Sequence, residues 1–249
     1  MIEDENVLAV QPSVVDGAMK RANSQSGSNE GAEFIVPRGS GHEPEKWYVK
    51  FGDDNPDRMW TEILADQIYR EVMPAVVPET SPIIVEGRLA RASKIVPTDE
   101  AVGVTNQARN EAFIMDCLLG NWDAVYNNAN IVMSGGHGMR IDTGCSLDYR
   151  ARGERKADGT FTGIVTELEF GTDDSRLALG MRQKYPGLSD ADIEQQVERM
   201  RTSLTDDRID ELVDSIRRTL QDRTELKRVI KARRDYIIHE FNTQIPQAA

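Results

Sequence analysis

The hydrophobic period of this 249-residue chain changes near residue 104, and that change limits the folds open to it. Upstream, short apolar or aromatic runs are separated by Gly- and Pro-containing loops, a pattern that predicts strands. The runs are Val7-Leu8-Ala9-Val10, Phe34-Ile35-Val36, Trp47-Tyr48-Val49-Lys50-Phe51, Ile83-Ile84-Val85 and Ala92-Ser93-Lys94-Ile95-Val96. One helical spacing interrupts them: Ile63, Leu64, Ile68 and Val72 lie within Met59 to Met73, and Pro74 closes the segment. Residues 20–33, rich in Ser, Asn and Gly, read as too polar for core.

From Thr105 the spacing is helical. Phe113, Ile114, Cys117, Leu118 and Leu119 form one apolar face that runs into Gly120. Residues 131–133 and 139–141 predict a hairpin across Gly135-Gly136-His137-Gly138. Beyond Gly163 almost everything reads as helix. Ser189 with Asp192 forms a capping box ahead of Ile193, Val197 and Met200. Thr205 precedes the stripe Ile209, Leu212, Val213, Ile216 and Leu220, and Thr224 precedes Leu226, Val229 and Ile230. These stripes are core packing. Strands first and helices second predict an α+β fold of two lobes, residues 1–103 and 104–249, joined as one domain around a cleft.

Charge narrows the partners. The formal net charge is −12 and the pI about 4.8, so nucleic-acid backbones and anionic membrane surfaces are repelled by the molecule as a whole. The opening Met1-Ile2-Glu3-Asp4-Glu5-Asn6 has neither a basic start nor an apolar run, which predicts no signal peptide. No apolar stretch approaches the roughly 20 residues that span a bilayer. Only Cys117 and Cys145 are present, one within a helical pattern, so a reduced cytoplasm fits better than a disulfide scaffold. Two Cys and three scattered His provide no zinc-ligand spacing.

The chemistry-bearing residues fall in six fragments. Lys50 lies mid-strand and points away from Val49 and Phe51, where a buried ammonium requires a counter-charge. Glu62, in Thr61-Glu62, opens the following helix. The glycines of Gly27-Ser28-Asn29-Glu30-Gly31 allow backbone N–H groups to approach an anion. Asp123 ends Gly120-Asn121-Trp122-Asp123 in an open loop with Asn127 and Asn128. Asn130-Ile131-Val132 follows, and Arg140-Ile141-Asp142-Thr143-Gly144 places a second acid beside a glycine across the hairpin.

In this order, the fragments resemble the atypical, HipA-like branch of the protein kinase superfamily, which also takes in phosphatidylinositol kinases and actin-fragmin kinase. The resemblance covers most of residues 20–150. It implies an ATP- and Mg2+-dependent phosphotransferase in which Lys50 binds the α/β-phosphates, Glu62 holds Lys50, and Gly27, Ser28, Asn29 and Gly31 cover the phosphates. Asp123 would orient or deprotonate the acceptor hydroxyl. Asp142 and an Asn amide would bind metal. Asn130, directly before the strand, is the favoured ligand, while Asn128 has the usual five-residue offset from Asp123. Lys94, Ile95 and Val96 would form the linker against which adenine packs.

The implied acceptor is a hydroxyl of a protein, peptide or small molecule, since the acidic charge disfavours an inositol lipid at a membrane. Two positions depart from the usual kinase residues: Asn121-Trp122 replaces His-Arg, and Thr143 replaces the Phe of Asp-Phe-Gly. These departures keep two alternatives open, a nucleotide-binding module without transfer and an enzyme that transfers AMP. Residues 146–156 carry four basic residues in the position of an activation or substrate-binding segment; the alternative is a solvated loop.

Overall fold

The computed structural model describes residues 11–15, 19–20, 30–36, 43–52, 55–99, 103–126, 130–150, 154–157, 159–168 and 185–243. The expected strand at Val7–Val10 lies outside the described residues. The architecture is the two-lobed α+β kinase-like fold.

The first lobe is a six-stranded sheet formed by β1 (Ser13–Val14), β2 (Met19–Lys20), β3 (Gly31–Val36), β4 (Glu45–Phe51), β5 (Thr80–Val85) and β6 (Arg88–Lys94), in the order β1-β5-β6-β4-β3-β2. β1 runs parallel to β5 and the other pairs are antiparallel. The period-2 alternation sorts side chains to two faces. Ala32, Phe34, Val49, Ile83, Val85, Ala90 and Ala92 make a small apolar cluster on one. Lys50, paired in register with Arg91, belongs to the other. The polar reading of residues 20–33 fails at its end, because Gly31 and Ala32 are buried at the start of β3. Pairing with β4 outweighs the polar composition there.

Helix α1 (Pro56–Val72) starts three residues before the spacing predicts, because the Asn55 side chain accepts the Arg58 N–H at 3.0 Å and Pro56 occupies the first turn. It is buried on nearly every side, and its apolar residues join the core of the helical lobe. That lobe contains α2 (Asn106–Asn110), α3 (Phe113–Leu119), α4 (Trp122–Tyr126), the hairpin β7 (Ile131–Ser134) and β8 (His137–Arg140), then α5 (Asp190–Ser203), α6 (Asp206–Asp214) and α7 (Leu220–Thr243). Gly135 and Gly136 both have positive φ, as the tight hairpin turn requires. Ser189 and Asp192 complete the capping box of α5, and Thr205 caps α6.

Two expected helix ends shift. The stripe from Ile209 breaks after Asp214, leaving Leu220 exposed at the start of α7. Thr224 lies inside α7, and Thr219 accepts the Asp222 N–H in its place. Between Gly163 and α5 the described helix is a single short turn, Thr166–Leu168.

Candidate active site

Lys50, the last residue but one of β4, reaches into the space between the lobes. Its Nζ lies 2.8 Å from Asp142 Oδ1 and 3.6 Å from Glu62 Oε2. Burial opposes its charge, but these two carboxylates outweigh burial and raise the ammonium pKa above the usual lysine range. Glu62 is also held by Arg58, one turn earlier on α1, with Nε 3.2 Å from Oε1. The nearest carboxylate to Lys50 is therefore Asp142, a pairing across the lobes that no local pattern in the sequence reveals.

Asp142 follows β8. The β7–β8 register pairs Ile131 with Arg140, and the Ile141 N–H donates to the Asn130 carbonyl at 3.0 Å. Asn130 and Asp142 thus meet at one end of the hairpin. Burial would raise the Asp142 pKa, yet the Lys50 charge, its hydrogen bond and the Gly144 N–H (3.0 Å to Oδ1) together hold it below the usual range. A Cβ at Gly144 would sit 2.6 Å from Glu62 Oε1 and 3.0 Å from Asp142 Oδ1, so any larger residue there would displace the Glu62 carboxylate.

Asp123 departs from expectation in one respect. It lies in the first turn of the short α4 rather than in an open loop. Gly120 ends α3 with φ +59°, and the chain turns at once into the next helix. Burial, reinforced by the nearby negative charge of Asp142, raises the Asp123 pKa; Arg58, Lys156 and Lys50 act in the opposite direction. The two acids occupy one electrostatic environment and are driven apart, Asp123 upward and Asp142 downward.

The remaining predicted residues fall as follows. Gly27, Ser28, Asn29 and Asn128 lie outside the described residues. Gly31 is the first residue of β3, opposite Lys50, and not part of a loop. Lys94 ends β6 with its ammonium 2.5 Å from Glu45 and 3.7 Å from Glu79. Ile95 and Val96 follow the strand, and the Ile95 N–H donates to the Lys46 carbonyl.

Two further residues belong to this region. Arg58 was legible as a cation four positions before Glu62 on one helix face. Lys156 comes from the basic segment 146–156. Instead of facing solvent it is buried, donates to the Gly120 carbonyl at 2.9 Å, and has its pKa pushed down to about 8 by burial. Arg155 of the same segment pairs with Asp222 of α7 at 2.9 Å. Lys156 also lines a cavity of about 250 Å³ between this segment and α7.

Among solved structures, the chain is similar to the Helicobacter pylori proinflammatory kinase CtkA, with a TM-score of 0.61 at 13% identity. The match covers 95% of this chain and 100% of the other. At that identity the likeness concerns the fold. No protein-family model matches the chain, and no curated protein matches it in sequence.

Among the described residues no group of three or more His, Cys, Asp or Glu side chains converges on a metal-sized site. The donor set at the hairpin end is instead carboxylate and amide oxygen. A Mg2+ ion held by one or two carboxylates and completed by substrate phosphates has this chemistry.

Proposed function

We propose that the protein is an ATP- and Mg2+-dependent phosphotransferase of the atypical, HipA-like kind, transferring the γ-phosphoryl group to a hydroxyl of a protein, peptide or small molecule. The observation that supports this reading most is Lys50, buried between Glu62 and Asp142 with Asp123 in the same field. An ammonium held by two acids from the opposing elements offers a phosphate-binding charge that is already desolvated and oriented.

Lys50 binds the α/β-phosphates while Glu62, itself steadied by Arg58, keeps the ammonium pointed into the cleft. Asp142 with Asn130, or with Asn128, would hold Mg2+, which when bound neutralises charge between the acids and the triphosphate. Asp123 accepts a hydrogen bond from the acceptor hydroxyl and takes its proton as the phosphoryl group departs from ADP. Its raised pKa makes it a stronger base than a solvated carboxylate. Residues 27–31 cover the phosphates, and residues 94–96 border the adenine. The protein acts in the cytoplasm.

The test is mass analysis of the products after incubation with ATP, magnesium and candidate hydroxyl acceptors, autophosphorylation included. The expected product carries one phosphoryl group and is lost in Asp123→Ala. Addition of AMP would assign nucleotidyl transfer to the site instead. Equal ATP turnover in wild type and Asp123→Ala would remove Asp123 from the chemistry, and nucleotide binding without any transfer would make the protein a binding module.

A further inference from the structure

Three polar residues of α1, Glu62, Asp66 and Tyr69, follow one another at i, i+4 and i+7 and so share a face of the helix. All three are buried. Each bonds a different part of the site. Glu62 holds Lys50. Asp66 accepts the Thr143 hydroxyl on Oδ1 at 2.8 Å, and its Oδ2 accepts from Arg91 Nε at 2.8 Å. Arg91 is the β6 residue in register with Lys50. The Tyr69 hydroxyl donates to Asp116 Oδ1 at 2.5 Å and accepts from Asn121 Nδ2 at 2.9 Å. Asp116 in turn holds Arg140 Nη2 at 2.8 Å.

The two residues reached in this way, Thr143 and Asn121, are among the three, with Trp122, at which the chain departs from the usual kinase residues. Thr143 is adjacent to Asp142, and Asn121 is two residues before Asp123. Burying polar groups here is unfavourable unless they find partners, and the Asp66, Thr143, Tyr69 and Asn121 side chains each have one. A hydrogen bond fixes distance and direction where an apolar side chain fixes only proximity.

We propose that Asp66 and Tyr69 are positioning residues, which set the Asp142 and Asp123 carboxylates against Lys50 through Thr143 and Asn121. The proposal rests on the phosphotransferase reading for its consequence in turnover, but its geometric content stands apart from activity. With α1 as a common ruler, loss of the Thr143 bond should release the metal-binding end, and loss of the Tyr69 bond should release the catalytic end.

The experiment uses the full chain and three conservative variants, Thr143→Val, Thr143→Ser and Tyr69→Phe, with thermal unfolding as a folding control. Amide hydrogen exchange is read at Gly144, whose N–H is held by Asp142, and at Ala124, whose N–H faces Asn121 Oδ1. Thr143→Val should speed exchange at Gly144 by about tenfold, the loss of roughly one hydrogen bond, and Thr143→Ser should restore it. Tyr69→Phe should speed exchange at Ala124 and leave Gly144 protected. In turnover, Thr143→Val should raise the KM for Mg-ATP, whereas Tyr69→Phe should lower kcat at unchanged KM. Wild-type exchange at both amides in Thr143→Val and Tyr69→Phe would overturn the proposal whether or not the protein transfers phosphate. So would equal losses at both amides in every variant. Absence of transfer in the wild type, with the selective exchange pattern intact, would overturn the phosphotransferase reading alone.

Discussion

The sheet lobe and the helical lobe are built to different standards. The sheet's apolar cluster contains Ala32, Phe34, Val49, Ile83, Val85, Ala90 and Ala92, mostly small side chains. The helical core is much larger and includes Trp60, Ile63, Leu64, Ile68 and Tyr69 of α1, which sequence order would assign to the sheet. Polar bonds add to that attachment. Arg208 pairs with Glu71 at 2.7 Å, and Arg218 donates to Thr61 at 3.0 Å. Glu62, Asp123 and Asp142 all belong to elements joined to the helical core, while Lys50 is carried by the sheet. Under the proposed function, acceptor and metal chemistry would therefore rest on the lobe with the larger core, and the phosphate-binding charge would come from the sheet.

The largest effect expected from this division is catalytic. Asp123→Asn should lower turnover by ~10²–10⁴-fold, the usual cost of a lost general base. Its unfolding midpoint should stay near wild type, since Asp123 is half-buried and its negative charge is disfavoured by burial. A parallel collapse of stability, measured by denaturant unfolding, would make Asp123 a structural residue.

Next in size comes the buried pair Arg140–Asp116, both side chains fully enclosed and 2.8 Å apart. Asp116→Ala leaves Arg140 without its carboxylate and should cost about 3–5 kcal/mol in chemical unfolding. A loss below about 1 kcal/mol would show that the helical lobe is looser than its burial indicates.

Lys156 gives a pH signature of the same lobe. Its pKa in the folded protein is about 8, below the ordinary 10.5. Between these values the unfolded chain holds the extra proton, so raising the pH through that window favours the folded state. Below pH 8 the amine is charged in both states and its burial penalty is fully present. Relative to Lys156→Met, wild-type stability should rise by up to roughly 3 kcal/mol from pH 7 to 10.5. A flat difference would mean that Lys156 titrates normally.

The smallest effect belongs to the sheet. The bidentate Arg88–Glu30 pair is exposed, at 2.8 and 2.9 Å. Glu30→Ala should change stability far less than Asp116→Ala, and the difference should shrink in high salt. A loss as large as that of Asp116→Ala would erase the contrast between the lobes.

What the sequence made legible was local. Alternation placed Lys50 opposite Val49, the glycine pair marked the β7–β8 turn, and Ser189 with Asp192 announced α5. The helix after the lysine strand contained Glu62. What it hid depends on contacts between distant segments. The Lys50–Asp142 pair joins β4 to the end of β8, and nothing in the spacing of either predicts it. Lys156 resembled part of a solvated charge run because burial beneath Gly120 is a tertiary event. Leu220 fits the periodic stripe of α6, but the chain breaks before it and reuses it as an exposed helix start. The polar α1 face at 62, 66 and 69 goes unread in the sequence, because its meaning depends on the positions of Thr143 and Asn121.

The central claim is a division of labour between two acids, and calorimetric titration of Mg-ATP into Asp123→Asn and Asp142→Asn, side by side, tests it most directly. Two carboxylates facing a triphosphate repel it unless a cation lies between them. Asp142→Asn should therefore lose magnesium-dependent nucleotide binding, while Asp123→Asn binds Mg-ATP with nearly wild-type affinity. Normal binding by Asp142→Asn together with lost binding by Asp123→Asn would contradict the account and reverse the two roles.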